Sequence, residues 1–354
     1  MSLYIPNSLW TWSFLAISIT QAGIALGLEG YVFANFQSHL RGAWREAGGS
    51  EVKTIPTYLS LLIFAFVYQL VLVYDALANK NTIQVIGLCI MNLGILVYTA
   101  IQIDQIKDAT AALTTKNMIW PEFWPSVKSF LFASPCVIAL GTVLLSYVAW
   151  KLYDEFAWSI YKQISADLRL KRRFLVYQIY IALLKFDFFL FIGFEVQFLV
   201  IVSNTTSTEF YLTIATLPAT IILLLLAAWF TKRESKAGMG ATIFVYLCAL
   251  AYFIFKLVRI YSANAKRKGE YAPAARTLTV FAAIAIALLL LTIVIACWCT
   301  MNFNKGLKPH VNSKSSRNSS EGRHDKLYSM NDHPGYAGQG VDTHHGGGNR
   351  MEID

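Results

Sequence analysis

Residues 277–299 read TLTVFAAIAIALLLLTIVIACWC, a run without a single charged side chain that is apolar on every face of a helix. A helix of about 20 residues crosses a hydrocarbon core of roughly 30 Å. A transmembrane strand would instead show about 10 residues of alternating polarity. Because only lipid or a large protein interior accepts a helix that is apolar all round, this run predicts a membrane-spanning helix.

Seven further apolar stretches precede this one, so the sequence predicts an all-α, polytopic transmembrane helix bundle over residues 1–301. An arrangement of seven spans with the N-terminus outside the cytosol remains open, and a seven-helix receptor would require it. The eight predicted spans lie near residues 9–36, 56–77, 83–103, 129–150, 174–202, 211–230, 241–261 and 277–301.

The composition places the charges outside these spans. Hydrophobic residues make up 56% of the chain and charged residues 14%, whereas a soluble domain has about 25% charged residues. Of 30 Lys and Arg residues, only Lys185, Lys256 and Arg259 fall inside a span. The net charge of +9 therefore belongs to loops and tail, and its partner is the lipid bilayer rather than nucleic acid, since the basic residues form no patch interleaved with aromatics.

The distribution of Lys and Arg also predicts the orientation. With the N-terminus in the cytosol, 17 of these residues lie in cytosolic segments and 10 on the other side, which places both termini in the cytosol. The first span alone argues the opposite, because it has no basic residue before it and Arg41 and Arg45 after it. Two glycosylation sequons, at Asn204 and Asn318, then lie on opposite sides of the bilayer, and Asn204 is the possible N-glycosylation site.

Two segments outside the spans have a distinct character. Residues 151–173 have apolar positions at helical spacing and predict an amphipathic helix that ends in four basic residues within 169–173, a possible contact for anionic lipid headgroups. This helix either lies in the headgroup layer or extends span four beneath the bundle. Residues 302–354 are polar and rich in Ser, Asn, Gly and His, which predicts a disordered tail.

Charged residues inside spans are the candidate functional residues, because a charge in lipid is costly and normally faces a bundle interior, a partner or a water path. Lys185 and Asp187 point about 160° apart on one helix and so need partners from other helices. Two interpretations remain open: a proton- or ion-coupled transporter or channel, and a buried network that fixes helix register. The candidates are Lys185, Asp187 and Glu195 in span five, with Asp75, Glu29, Lys256 and Arg259 as available partners near span ends.

The sequence shows no motif for catalysis, and we predict that the protein is not an enzyme. There is no HExxH zinc pair, no GxxxxGK[ST] phosphate loop and no GxSxG elbow. The only histidine outside the tail is His39, and all five cysteines lie within apolar stretches. We therefore predict no catalytic residue, no metal site and no cofactor.

Several short strings resemble a family of uncharacterised fungal Golgi-apparatus multi-pass membrane proteins. The resemblance covers residues 1 to about 310 and implies a location in the Golgi membrane without implying an activity. We therefore expect a structural or trafficking-related membrane component. The strings are Leu152-Tyr153-Asp154-Glu155-Phe156, Tyr161-Lys162-Gln163-Ile164 with Ala166-Asp167, Lys185-Phe186-Asp187-Phe188-Phe189, and Asn302-Phe303-Asn304-Lys305-Gly306-Leu307-Lys308.

Overall fold

A computed structural model describes residues 6–41, 50–163, 168–201, 207–262 and 275–303. Within these ranges the regular structure is helical, apart from one isolated bridge between Leu40 and Ile119. The helices are α1 (Leu9–His39), α2 (Ser50–Ala78), α3 (Thr82–Thr115), α4 (Phe123–Gln163), α5 (Leu168–Ile201), α6 (Ser207–Arg233), α7 (Lys236–Ser262) and α8 (Ala275–Met301).

All eight helices contain a segment long and apolar enough to cross a membrane. The predicted all-α polytopic bundle is therefore confirmed, and the described part has eight such helices rather than seven. Several helices continue beyond the apolar stretch that predicts them: α3 ends at Thr115 and α4 begins at Phe123. Hydropathy marks where lipid begins and ends, whereas a helix continues until a cap or a turn stops it.

The predicted amphipathic helix over residues 151–173 is not separate, because residues 151–163 are the last part of α4. Residues 151–163 thus extend span four, whereas residues 168–173, with the basic residues, are the start of α5, so the prediction of one helix over residues 151–173 is wrong. Phe156 and Tyr153 both belong to the predicted apolar face, but Phe156 is buried and Tyr153 is exposed. The predicted amphipathic pattern is therefore met only in part. Residues 164–167, between α4 and α5, lie outside the described residues, as does the predicted tail from residue 304 onward.

Local signals explain the helix ends. Ser8 caps α1 through a reciprocal pair of hydrogen bonds with Thr11. Asn81 caps α3, because its side-chain oxygen accepts hydrogen bonds from the backbone amides of Ile83 and Gln84. Lys80, just before this cap, takes a left-handed φ of 48°, which closes a short turn between α2 and α3.

The bundle consists of two halves of four helices, which we call half one (α1–α4) and half two (α5–α8). In half one, α1 and α3 each pack against α2 and α4; in half two, α5 and α7 each pack against α6 and α8. The halves meet along a seam where α2 packs on α5 and α3 packs on α5 and α8. The intramembrane polar residues lie inside the halves and along this seam.

Candidate functional site

Asn92 of α3 connects all four helices of half one. Its side-chain oxygen accepts hydrogen bonds from Gln21 Nε2 on α1 (2.7 Å) and Gln69 Nε2 on α2 (2.9 Å). Its side-chain nitrogen donates to Thr142 Oγ1 on α4 (2.8 Å) and to Gln21 Oε1 (3.4 Å). Because an amide oxygen accepts two hydrogen bonds and an amide nitrogen donates two, the Asn92 side chain is saturated by protein groups.

Gly141 of α4 makes room for this network. A Cβ placed on Gly141 would lie 1.9 Å from Gln21 Oε1 and 2.6 Å from Gln21 Cδ. The amide of Gln21 therefore lies directly against the α4 backbone, where only glycine leaves space for it.

Lys185 pairs with Asp75 across the seam, so the prediction that its partner comes from another helix is confirmed. The Lys185 ammonium contacts the Asp75 carboxylate and donates to Gln84 Oε1 (3.0 Å), while Gln84 Nε2 donates to Asp75 Oδ2 (2.8 Å). Tyr68 of α2 also donates to the Lys185 carbonyl oxygen (2.7 Å). These bonds connect α2, α3 and α5.

This ion pair is partly exposed, with 27% of the Lys185 side chain and 35% of the Asp75 side chain accessible. Asp75 lies three residues before the last residue of α2, Ala78. The pair therefore lies near the α2–α3 turn, in a less costly environment than the centre of the hydrocarbon.

Asp187 has a neutral partner instead of a charged one. Its side chain is 0% exposed, and Oδ2 accepts a hydrogen bond from Thr292 Oγ1 of α8 (2.7 Å). Among the described residues, Oδ1 has no hydrogen-bond donor. The expectation of a partner on another helix is thus met by a hydroxyl group, and Lys185 points away from Asp187 toward α2.

Glu29 is also buried among neutral groups. It is 2% exposed, so it does not reach the interface as its position near a span end suggested. Gln102 Nε2 of α3 donates to Glu29 Oε2 (3.4 Å), and Ser134 Oγ of α4 donates to Oε1 (3.1 Å). Within the described ranges no ion pair involves Glu29.

Glu195 has a cation nearby. Thr220 Oγ1 of α6 donates to Glu195 Oε1 (3.2 Å), and the positive charge of Lys256 on α7 interacts with the carboxylate. Lys256 is only 3% exposed, and its ammonium lies 3.6 Å from the centre of the Phe198 ring, in cation–π geometry. Burial of Lys256 contradicts the expectation that it reaches the membrane surface.

Thr277 of α8 forms a second polar centre on the seam. Its hydroxyl accepts from Gln197 Nε2 of α5 (2.9 Å) and from Gln105 Nε2 of α3 (3.4 Å). The seam therefore carries the Lys185–Asp75–Gln84 cluster near one end and this amide–hydroxyl cluster near the other. Between them, Phe64 and Tyr68 of α2 stack on Phe189 of α5, with ring centres 5.7 Å and 5.9 Å apart.

Sequence reasoning found the charged residues but missed the amides and hydroxyls that surround them. Asn92 stands alone in an apolar run, as Met91-Asn92-Leu93 shows, and Gln21 lies within the first predicted span. A buried amide needs hydrogen-bond partners for the same reason that a charge does, so these amides were a usable signal.

The remaining predicted features are placed as follows. Asn204 lies outside the described residues, so its glycosylation stays a prediction. In the described part of the chain, no group of three His, Cys, Asp or Glu residues lies close enough to hold a metal ion. The arrangement presents buried carboxyl groups with neutral hydrogen-bond donors (Glu29, Asp187, Glu195) and, among the described residues, one ion pair on the seam, Lys185–Asp75.

Comparison with known proteins identifies a relative over most of the chain. A UPF0658 Golgi apparatus membrane protein of Schizosaccharomyces pombe is 31% identical over 318 residues, which covers 84% of this chain and 88% of the relative. No family model matches the sequence, and no solved structure matches it. The chain therefore belongs to the UPF0658 family of multi-pass Golgi apparatus membrane proteins.

Proposed function

We propose that this chain is a structural or trafficking-related component of the Golgi membrane, without catalytic activity, in which the polar side chains hold eight helices in one packing arrangement. The observation that carries the proposal is the saturation of Asn92, whose 0% exposed side chain uses all its hydrogen-bonding capacity on Gln21, Gln69 and Thr142. A group that binds and releases a substrate needs a position that the substrate can take. A group that fixes helix register does not.

The Lys185–Asp75 pair provides the test. Lys185→Met and Asp75→Leu should each lower the midpoint of thermal unfolding in detergent, because each leaves a charge without its partner. The double variant should recover most of the loss, since it leaves no unpaired charge at the seam. Wild-type protein in liposomes should show no ion or metabolite flux above empty liposomes.

An ion- or proton-coupled transporter or channel is the second candidate, and one observation favours it. Glu29 and Asp187 are buried carboxyl groups with hydroxyl or amide partners, as residues on a proton path often are. The same liposomes decide between the two. Flux through the wild type, lost in a folded and Golgi-localised Asp187→Leu variant and not restored by adding Thr292→Val, would replace the structural proposal with the transporter.

We infer further that the tail faces the cytosol and Asn204 the lumen, in keeping with the distribution of Lys and Arg. A glycan removed by endoglycosidase should be lost in Asn204→Gln and kept in Asn318→Gln. A glycan that depends on Asn318 would reverse the orientation.

We also infer that anionic lipid headgroups bind the basic start of α5, where Arg169, Lys171 and Arg172 are exposed. Each basic residue near an anionic surface contributes on the order of 1 kcal/mol. Replacing Arg169, Lys171, Arg172 and Arg173 with Gln should reduce retention of labelled phosphatidylserine by the purified protein, whereas Lys107→Gln with Lys116→Gln, at the other end of the bundle, should not. Equal retention by both variants would exclude this contact.

A further inference from the structure

The first helix of each half carries a Gly-x-Glu triplet. Gly27-Leu28-Glu29 lies in α1, the first helix of half one, and Gly193-Phe194-Glu195 lies in α5, the first helix of half two. Glu29 and Glu195 are 2% and 3% exposed. Each half thus buries a glutamate on its first helix.

The surroundings of the two glutamates also correspond. A hydroxyl group from a neighbouring helix donates to each carboxyl group: Ser134 to Glu29 at 3.1 Å, and Thr220 to Glu195 at 3.2 Å. The third helix of each half also contributes a long side chain. Gln102 of α3 donates to Glu29 in half one, and the charge of Lys256 on α7 acts on Glu195 in half two.

The difference between the halves is one of charge. Lys256 brings a positive charge to Glu195, whereas Gln102 is neutral. The other groups that face Glu29 are Ser134 of α4 and the phenol of Tyr98 of α3. From α2, Tyr58 contacts Tyr98 through its backbone carbonyl (3.1 Å), and it too is uncharged at neutral pH. The helices around Glu29 therefore present no cation among the described residues.

An ionised Glu29 would be costly in this environment. Taking an ion out of water into a protein interior is unfavourable, and a nearby opposite charge is needed to offset the lost hydration. Two hydrogen bonds from neutral donors, one of them 3.4 Å long, do not replace that charge. Protonation removes the penalty.

The Gln102 amide supplies a second observation. Gln102 is buried, and its Oε1 atom has no hydrogen-bond donor among the described residues. The oxygen and nitrogen of a side-chain amide are interchangeable by rotation, so either atom can face Glu29. A protonated Glu29 has a hydrogen to donate to that oxygen, and an ionised Glu29 has none.

We propose that Glu29 is a proton-binding site, which holds a proton as a neutral acid at neutral pH. This proposal goes beyond the structural function above and does not depend on it, because a proton on Glu29 is compatible with either a fixed bundle or a transporter.

Infrared spectroscopy of the full-length protein in nanodiscs at neutral pH tests the proposal, since the carbonyl stretch of a protonated carboxyl group is separate from the bands of a carboxylate. Subtracting the Glu29→Gln spectrum from the wild-type spectrum removes the contribution of Asp187 and should leave one protonated-acid band. A difference spectrum without that band would overturn the proposal.

A cation introduced beside Glu29 gives a second test. Gln102→Lys places a positive charge on the helix that already donates to Glu29, and the Glu29 band should disappear. A folded Gln102→Lys variant that keeps the Glu29 band would contradict the assignment.

Discussion

Single polar residues determine how closely the helices of half one approach each other. The Gln21 amide lies between the Asn92 side chain and the α4 backbone at Gly141. Its position depends on a hydrogen bond on one side and on a missing side chain on the other. A substitution at Gly141 of α4 therefore tests the hydrogen bond between Gln21 of α1 and Asn92 of α3.

We expect Gly141→Ala to lower the free energy of unfolding by about 1–3 kcal/mol, the cost of a buried polar group left without its partner. The new methyl group would lie 1.9 Å from Gln21 Oε1, so the amide must leave Asn92. Denaturant unfolding in detergent measures the effect. In a Gln21→Ala background the same substitution should cost little more, and an equal loss in both backgrounds would show that the amide is not the cause.

The charged residues of this site could be predicted from the sequence, but most of their partners could not. Lys185 and Asp75 stand out because a charge inside an apolar stretch is rare, and Asp75 was among the few residues available as a partner. Thr292 and Ser134 did not stand out, since hydroxyl groups occur throughout membrane helices and satisfy their own helix backbone when nothing else is near. Their role depends on which helices are neighbours, and the hydropathy of a span does not show which helices pack together.

At the scale of helices, the seam between the halves is closely packed where α3 meets α5. A Cβ placed on Gly87 of α3 would lie 2.4 Å and 2.5 Å from two ring carbons of Phe186. Seven residues further along α3, nothing lies within 4 Å of a Cβ placed on Gly94. One helix thus offers both a contact glycine and a matched control.

We expect Gly87→Ala to destabilise the bundle by about 1–3 kcal/mol, because Phe186 must move from its place or α3 must move away from α5. Gly94→Ala should be neutral, since its methyl group meets open space or lipid. Thermal unfolding of the two variants in the same detergent measures the contrast. If both variants unfold at the wild-type temperature, the α3–α5 contact is not close.

The helices themselves were largely predictable, and their ends were less so. A run of apolar residues predicts each span because lipid excludes unpaired polar backbone groups. The last part of α3, from Asp104 to Thr115, carries Lys107 and Asp108. Because these residues are polar, the predicted span ended at residue 103. Helix propensity and the later turn at Asn117, with a φ of 56°, decide the end of α3 instead.

At the scale of the whole molecule, the two halves have the same neighbour order, and each has an even number of helices. Each half therefore begins and ends on the same side of the membrane. The chain passes from α4 to α5 through residues 164–167, which precede the first residue of half two. The sequence predicted eight spans but not their grouping, because grouping follows from side-chain contacts between distant segments.

If the halves are separate packing units, the chain should tolerate a break between them. We expect residues 1–165 and 166–354, produced as two polypeptides in one cell, to insert and to co-purify, because the seam supplies the Lys185–Asp75 pair, the bonds to Thr277 and the stacked rings of Tyr68 and Phe189. Affinity purification of the first polypeptide measures recovery of the second. Lys185→Met should reduce that recovery, because it leaves Asp75 without its cation, and Lys185→Met with Asp75→Leu should restore it. Membrane insertion of both polypeptides without co-purification would show that the seam alone does not hold the halves together.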